Sequence, residues 1–344
     1  MPITGRIPED GSETILQLDV KLLEDTLWAP AGWSVAREQF VVRESSYAAL
    51  QNGHAPALEV VNGNGTITVR GPDFELNWDR GNGALMGYEY KSLSLLERPL
   101  EPYFWKPTNR NQARNRYLER LGPWREAAQE RELTDVTVVP NKETGSATVR
   151  FAFRLPVAEA EYTVTYTVST DGTVAVEADY RPHAGQAPKM PKFGMRMGLP
   201  EGWQKIAYYG RGPWENYWDR KTGAFFGVYS MPLENYRVDY LYPQDNGNRC
   251  DVRWWQATDT DGNGLRIEGM QGLSIRAWPF TEADIESSLL AHKLPRRDFI
   301  NVNIDLKVHG VGGDNSWGKR TMDKYTLPGE NPYHYGFLLK PKVQ

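Results

Sequence analysis

The sequence predicts an all-β protein built from many short antiparallel strands, with little helix. Three observations carry that expectation. Several stretches alternate apolar and polar residues with period two. Turn formers are frequent, with 32 Gly and 23 Pro, and rings are abundant, with 12 Trp and 18 Tyr. Period-two alternation buries one face of a pleated strand, and aromatic and β-branched side chains fill that face well.

The elements follow in chain order. Leu16–Leu23 alternates, Trp28-Ala29-Pro30-Ala31-Gly32 turns, and Val35–Val42 alternates again. This is one hairpin, too small to form a core alone. Ser45–Ala57, SSYAALQNGHAPA, is expected to be a linker into a larger body that begins near Leu58. A run of hairpins then reads TITVRGPDFELNWDRGNGALMGYEY, with turns at Gly71-Pro72 and Gly81-Asn82-Gly83. Gln112–Glu132, around REAAQERE, resembles helix, divided by Gly122-Pro123. Strands are expected between Val136 and Phe153. Tyr162, Val164, Tyr166 and Val168 share one face and Thr163, Thr165 and Thr167 the other, before a turn at Thr170–Thr173. Val174 and Val176 resume the pattern. Further strands run within Gly264–Ala277 and Phe299–His309.

Composition narrows the function. A net charge of -4 with no basic tract argues against nucleic acid as a partner. No apolar run approaches the roughly 20 residues that span a bilayer. The first residues, MPITGRIPEDGSETI, lack the basic and apolar regions of a signal peptide, so the expectation is a cytosolic chain or a processed piece, with the compartment left open. Cys250 is the one cysteine and excludes an intrachain disulfide. The histidines His54, His183, His292, His309 and His334 are scattered without metal-ligand spacing, so neither a metal site nor a cofactor is expected.

The densest chemistry lies in Tyr209–Gly223, YGRGPWENYWDRKTG. Rings (Trp214, Tyr217, Trp218), carboxylates (Glu215, Asp219), a carboxamide (Asn216) and cations (Arg211, Arg220, Lys221) crowd a loop broken by Gly and Pro. Sugars need bidentate polar groups together with flat rings, and this loop offers both. The competing reading makes the tryptophans core rings and Arg220 a bidentate partner that stiffens the turn through Glu215 or Asp219. Those carboxylates could in principle be a hydrolytic pair, but the cations crowding their loop suit ion pairing better than acid catalysis. Tyr242–Arg249, YPQDNGNR, offers Gln244, Asn246 and Arg249 for hydroxyl recognition, and Asx-turn capping explains the Asp and Asn equally well. Phe104–Asn115, FWKPTNRNQARN, carries the same ambiguity. Gly310–Trp317, GVGGDNSW, lacks the lysine of a phosphate loop and reads as a tight turn, with Asp314 and Asn315 bonding to amides and Trp317 packed inward.

Together and in this order, these four loops resemble the C-terminal domain of the large β-galactosidases of glycoside hydrolase family two. The run G-x-G-P-x-E-N-Y-x-D-R is matched by Gly210, Gly212, Pro213, Glu215, Asn216, Tyr217, Asp219 and Arg220. P-x-E/D-N-G-x-R is matched by Pro243, Asp245, Asn246, Gly247 and Arg249. N-I-D…G-x-G-G-D-D-S-W is matched by Asn303, Ile304, Asp305, Gly310, Gly312, Gly313, Asp314, Ser316 and Trp317, with Asn315 in place of the second Asp. F-W-R-A-P-T-D-N-D is kept as Phe104, Trp105, Lys106, Pro107, Thr108 and Asn109. The start, with Trp28, Ala31, Gly32, Ala36, Glu38 and Gln39, resembles the end of that family's preceding immunoglobulin-like domain.

The resemblance implies a large two-layer antiparallel supersandwich of the galactose mutarotase type over residues 58–344, after an immunoglobulin-like remnant and linker over 1–48. It also implies that the catalytic glutamates sit on a TIM barrel with no counterpart in this sequence. The implied partner is that catalytic part, on the same gene or a separate subunit, and the implied ligands are galactosides. In some relatives a tryptophan just before N-I-D reaches the galactoside pocket; here the run is Arg297-Asp298-Phe299-Ile300-Asn301, and Phe299 is the nearest ring. The expected function is thus a non-catalytic C-terminal portion or small subunit of a β-galactosidase. Alternatives are a free-standing carbohydrate-binding module and, by fold analogy, an aldose mutarotase, which would need a Glu and a His across the ring oxygen. The expected sugar-facing residues are Trp214, Glu215, Asn216, Arg220, Asn246 and Arg249 on one concave face, with Phe299 at a separate edge. No catalytic residue is expected in the chain.

Overall fold

A computed structural model describes residues 12–44, 46–50, 57–183, 185–315 and 317–343. The first residues, His54, most of the expected linker and Ser316 of the last motif lie outside the described residues. The chain divides into two compact units, Met1–Tyr47 and Ala48–Gln344. The first is a hairpin in which Thr14–Lys21 pairs antiparallel with Ser34–Arg43.

The second unit is two facing antiparallel layers. In one, Glu132–Pro140, Ala147–Leu155, Ala160–Val168, Val174–Arg181 and Tyr333–Lys342 pair in succession. The ladder continues through Gly264–Trp278, Arg249–Thr258, Lys205–Gly212 and Phe225–Pro232. In the other layer, Glu59–Asn62, Thr66–Arg70, Phe74–Asp79 and Leu85–Tyr90 form a meander. Arg98–Pro102, Lys192–Pro200 and Phe299–Val308 extend it. Gly264–Trp278 belongs to both layers: Gly264–Gly269 pairs with Tyr333–Lys342, and Ser274–Trp278 pairs with Phe299–Val308.

Alternation does what it should. Tyr162, Val164, Tyr166 and Val168 are buried while the threonines between them are partly exposed. Rings bridge the layers, with Trp78 edge-on to Tyr166 at 5.4 Å and Phe193 edge-on to Tyr335 at 5.5 Å. Such pairs add about 0.5–1.5 kcal/mol beyond the area they bury.

Two expectations need correction. The helix expected over Gln112–Glu132 is reduced to single turns, Arg110–Arg114, Tyr117–Leu121 and the 3₁₀ turn Gly122–Trp124. Arg116 adopts φ 61° between the first two, and the alanines of REAAQERE fall in a turn with Ala127 and Ala128 buried in the core. Core contact overrides helix propensity there. Trp317 does not pack inward; it is 91% exposed, while Asn315 Oδ1 accepts from its backbone amide at 2.9 Å.

Candidate functional site

The four motif loops meet and tie one another together. Asn109 caps the helix Arg110–Arg114: its side chain accepts from Gln112 N at 2.9 Å, and Gln112 Oε1 accepts from Asn109 N at 3.1 Å. The same two side chains reach the last loop, Asn109 Nδ2 donating to Val311 O at 3.0 Å and Gln112 Nε2 to Gly310 O at 3.1 Å. Asp219 Oδ2 accepts from Gly312 N at 2.8 Å, which joins the Trp214–Arg220 loop to the last one. Arg110 N donates to Gln244 Oε1 at 3.1 Å, joining the first loop to the third. Glu215 accepts from Gly247 N at 2.8 Å, from Arg220 Nη2 at 2.8 Å and from the Tyr240 hydroxyl. Gly247 has φ 72°, a left-handed conformation that glycine adopts without strain.

These ties surround a cavity of about 200 Å³ lined by Asn109, Arg110, Asn111, Tyr217, Arg220, Tyr240, Gln244, Asp245, Val311 and Gly312. All four motifs contribute. A neighbouring cleft of about 370 Å³ shares Asn109, Arg110 and Gln244 and adds Glu286, Arg125, Tyr242 and Leu289. Glu286 there accepts from Trp105 Nε1 at 2.8 Å and pairs with Arg125, and burial raises its carboxyl above the usual range.

Behind the four-loop cavity runs a chain of alternating charges. Lys106 and Arg276 flank Asp245 at 3.3 and 2.5 Å, and Arg276 and Lys192 flank Asp305 at 2.8 and 2.8 Å. The side chains of these five are fully buried. Asn303 also bonds Lys192 and donates to Glu282 at 2.8 Å, and Arg196 bridges Glu282 and Glu101 at 3.4 and 2.9 Å. Each buried charge faces an opposite one, the condition under which an interior tolerates ions. Burial alone would raise Asp245, but Lys106 and Arg276 outweigh it and hold the carboxyl low. Burial pushes Lys192 down to about 8 and moves Asp305 up against its two cations. Burial also opposes the charge on Arg276, yet Asp245 and Asp305 raise its pKa overall.

The residues expected to form one sugar-facing surface do not do so. Trp214 is 79% exposed, whereas Asn216, Asn246 and Arg249 are buried. Asn216 staples backbone, donating to Arg211 O and Trp214 O and accepting from Cys250 N at 2.9 Å. Asn246 accepts from Val238 N and donates to Gln244 O. Arg249 donates to the Tyr208 hydroxyl at 3.0 Å and lies over the Tyr236 ring at 4.4 Å. Glu215 is spent on the contacts given above, and of the expected set Arg220 alone lines the four-loop cavity. Arg220 is not bidentate: one nitrogen meets Glu215, and Asp219 binds Gly312 instead. Phe299 lies at a different cavity of about 200 Å³ with Glu101, Arg196 and Asn301, under the Arg98 guanidinium at 5.0 Å.

Sequence reasoning missed Arg276, Lys192 and Glu282. A cation set inside an apolar strand run, as in LSIRAW, was the available signal. For Glu282 it was the capping box at Thr281 and Asp284, which opens the helix Glu282–Ser287. Among the described residues no group of three or more His, Cys, Asp or Glu is placed to hold a metal ion, and no helix is long and apolar enough to cross a membrane.

The motifs therefore converge in space, and comparison with known proteins agrees with their origin. The family model for the β-galactosidase small chain matches residues 70–339. The chain belongs to the β-galactosidase small-chain family. It is 36% identical over 329 residues to a β-galactosidase of Priestia megaterium, covering 96% of this chain and 32% of that protein. It is 28% identical over 342 residues to one from Streptococcus thermophilus, covering 99% and 33%. This small-chain family member thus spans about a third of the length of the curated relatives it matches. Among solved structures, a galactose mutarotase-like protein from Clostridium acetobutylicum aligns with TM-score 0.48 and 9% identity, over 83% of this chain and 98% of that one.

Proposed function

We propose that this chain is the non-catalytic small-chain portion of a β-galactosidase, assembled with a catalytic part that hydrolyses terminal β-D-galactosides. One observation carries the reading: the small-chain match fills most of the sequence, while the chain spans about a third of its relatives. The chemistry of the cavity supports it. The single carboxylate lining the four-loop cavity, Asp245, is committed to Lys106 and Arg276, whereas glycoside hydrolysis uses two carboxylates across the scissile bond. No histidine lines that cavity, which weakens the mutarotase reading. His309 is buried edge-on to Tyr117, and burial pushes its imidazole down to about 3. The edge at Phe299, with Arg98, Glu101, Arg196 and Asn301, is where this portion would border the galactoside pocket of the catalytic part.

The expected outcome is that the 344-residue chain alone leaves a nitrophenyl β-galactoside intact. Hydrolysis should appear when it is mixed with the part of the Priestia megaterium relative that it does not span. Turnover by the chain alone, abolished in Glu215→Gln, would overturn the reading.

A further inference from the structure

We propose that Asn64 is a site of spontaneous covalent modification, the asparagine whose deamidation the folded chain permits where it blocks the other described Asn-Gly pairs. The proposal concerns one hairpin tip and is independent of whether the chain assembles with a catalytic part.

The reaction is intramolecular and needs water alone as co-reactant. The backbone nitrogen that follows the asparagine gives its proton to solvent base and attacks the side-chain Cγ. The bond from Cγ to the carboxamide nitrogen breaks, ammonia leaves with the proton, and a succinimide ring closes. Water then opens the ring at either carbonyl, giving aspartate or isoaspartate with no change of oxidation state. Glycine favours the attack because no side chain shields its nitrogen. The carboxamide must also be free to turn, the following N–H unbonded, and the loop roomy enough for the ring.

Asn-Gly occurs at Asn52, Asn62, Asn64, Asn82, Asn246 and Asn263. Asn52 lies outside the described residues. Asn62 accepts from Arg80, and Gly63 N donates to Thr66 O at 3.0 Å. Asn82 accepts from Ala84 N at 2.9 Å and donates to Asp79 at 3.2 Å, while Gly83 N donates to Asp79 O at 2.8 Å. Asn246 is buried with both ends of its carboxamide bonded, and Glu215 holds the Gly247 N–H. Asn263 donates to Asp259 at 3.4 Å, and a Cβ on Gly264 would lie 2.0 Å from Ala257 O, so that ladder has no room.

Asn64 meets every condition. It is exposed at the tip of the hairpin that joins Glu59–Asn62 to Thr66–Arg70. Among the described residues, neither its carboxamide nor the Gly65 N–H has a hydrogen-bond partner. A Cβ placed on Gly65 meets nothing within 4 Å. The Gly65 carbonyl alone is engaged, accepting from Arg80 N at 3.0 Å, which anchors the turn without covering the reacting atoms. Loop tips of this kind are where a fold restrains its backbone least.

The test is incubation of the whole chain in mildly alkaline buffer below its melting temperature, in parallel with a sample unfolded in urea. Digestion and electron-transfer fragmentation then place each gain in mass and distinguish aspartate from isoaspartate. In the folded chain Asn64 should convert several times faster than Asn62, Asn82, Asn246 and Asn263, with both products present. In urea those differences should collapse. Gly65→Val, at an open position whose φ is not left-handed, should stay folded by its melting temperature and lose the conversion at Asn64. The proposal is overturned if Asn64 stays intact in the folded chain while converting in urea, if any of the other four keeps pace with it, or if aspartate forms without isoaspartate.

Discussion

Arg276 and Arg220 carry the same side chain and do different work because of where the backbone puts them. Arg276 lies on a strand shared by both layers, fully buried between Asp245 and Asp305. Arg220 lies on a loop with half its side chain in solvent, and Glu215 retains the Tyr240 hydroxyl and Gly247 amide without it. Arg276→Met roughly keeps the volume but removes the buried cation that Asp245 and Asp305 share, leaving each with one lysine, so urea denaturation should show a loss of about 3–5 kcal/mol. Arg220→Ala should cost about 1 kcal/mol or less, in the range of exposed pairs. Equal losses in the two variants would contradict this assignment of the buried cation. Sequence reading gave the structural role to Arg220 because it stood in the richest motif. Arg276 stood in an apolar strand run, where nothing local names its partners.

Strand pairing is what brings those partners together. Lys192–Pro200 lies against Phe299–Val308 with Gly194 facing Asp305, and a Cβ on Gly194 would sit 2.0 Å from Asp305 Oδ1 and 2.6 Å from Ile304 O. Glycine is required there by close approach, since φ at this position is not in the left-handed region. Gly194→Ala should therefore separate the two strands locally and disturb the Lys192–Asp305 pair. A loss of about 1–3 kcal/mol is expected, the cost of overpacking a tight contact. A thermal unfolding midpoint equal to that of the parent would show that the strands can part freely at this point.

On the scale of the molecule, the core belongs to one unit. Every member of the main apolar cluster lies at Leu58 or beyond, and the strands of the N-terminal hairpin show mostly exposed side chains. A chain beginning at Ala48 should accordingly unfold cooperatively, with a midpoint within a few degrees of the full-length protein, as read by differential scanning calorimetry. Loss of a cooperative transition in that shortened chain would mean that the hairpin supplies a necessary part of the fold.

By itself the sequence determined the all-β class, several of the strands, the buried face of Ala160–Val168 and the four motif loops, because period-two alternation and turn chemistry are local properties; strands such as Lys192–Pro200 and Lys205–Gly212, without clean alternation, did not show in it. The motif spacing further carried the family likeness, which the small-chain match over residues 70–339 bears out. The sequence could not determine which polar residues of those loops face a cavity. Asn216, Asn246 and Arg249 look like sugar-binding groups in one dimension, and folding spends them on backbone and ring contacts inside the body. Asp245 and Tyr217 come to line one cavity only when loops distant in sequence close around them, as the Asn109–Val311 and Asp219–Gly312 bonds, 202 and 93 residues apart, do. The physical reason is that burial and hydrogen-bond satisfaction are set by groups distant in sequence, so only the tertiary structure decides whether a polar side chain is spent on the fold or left facing a ligand.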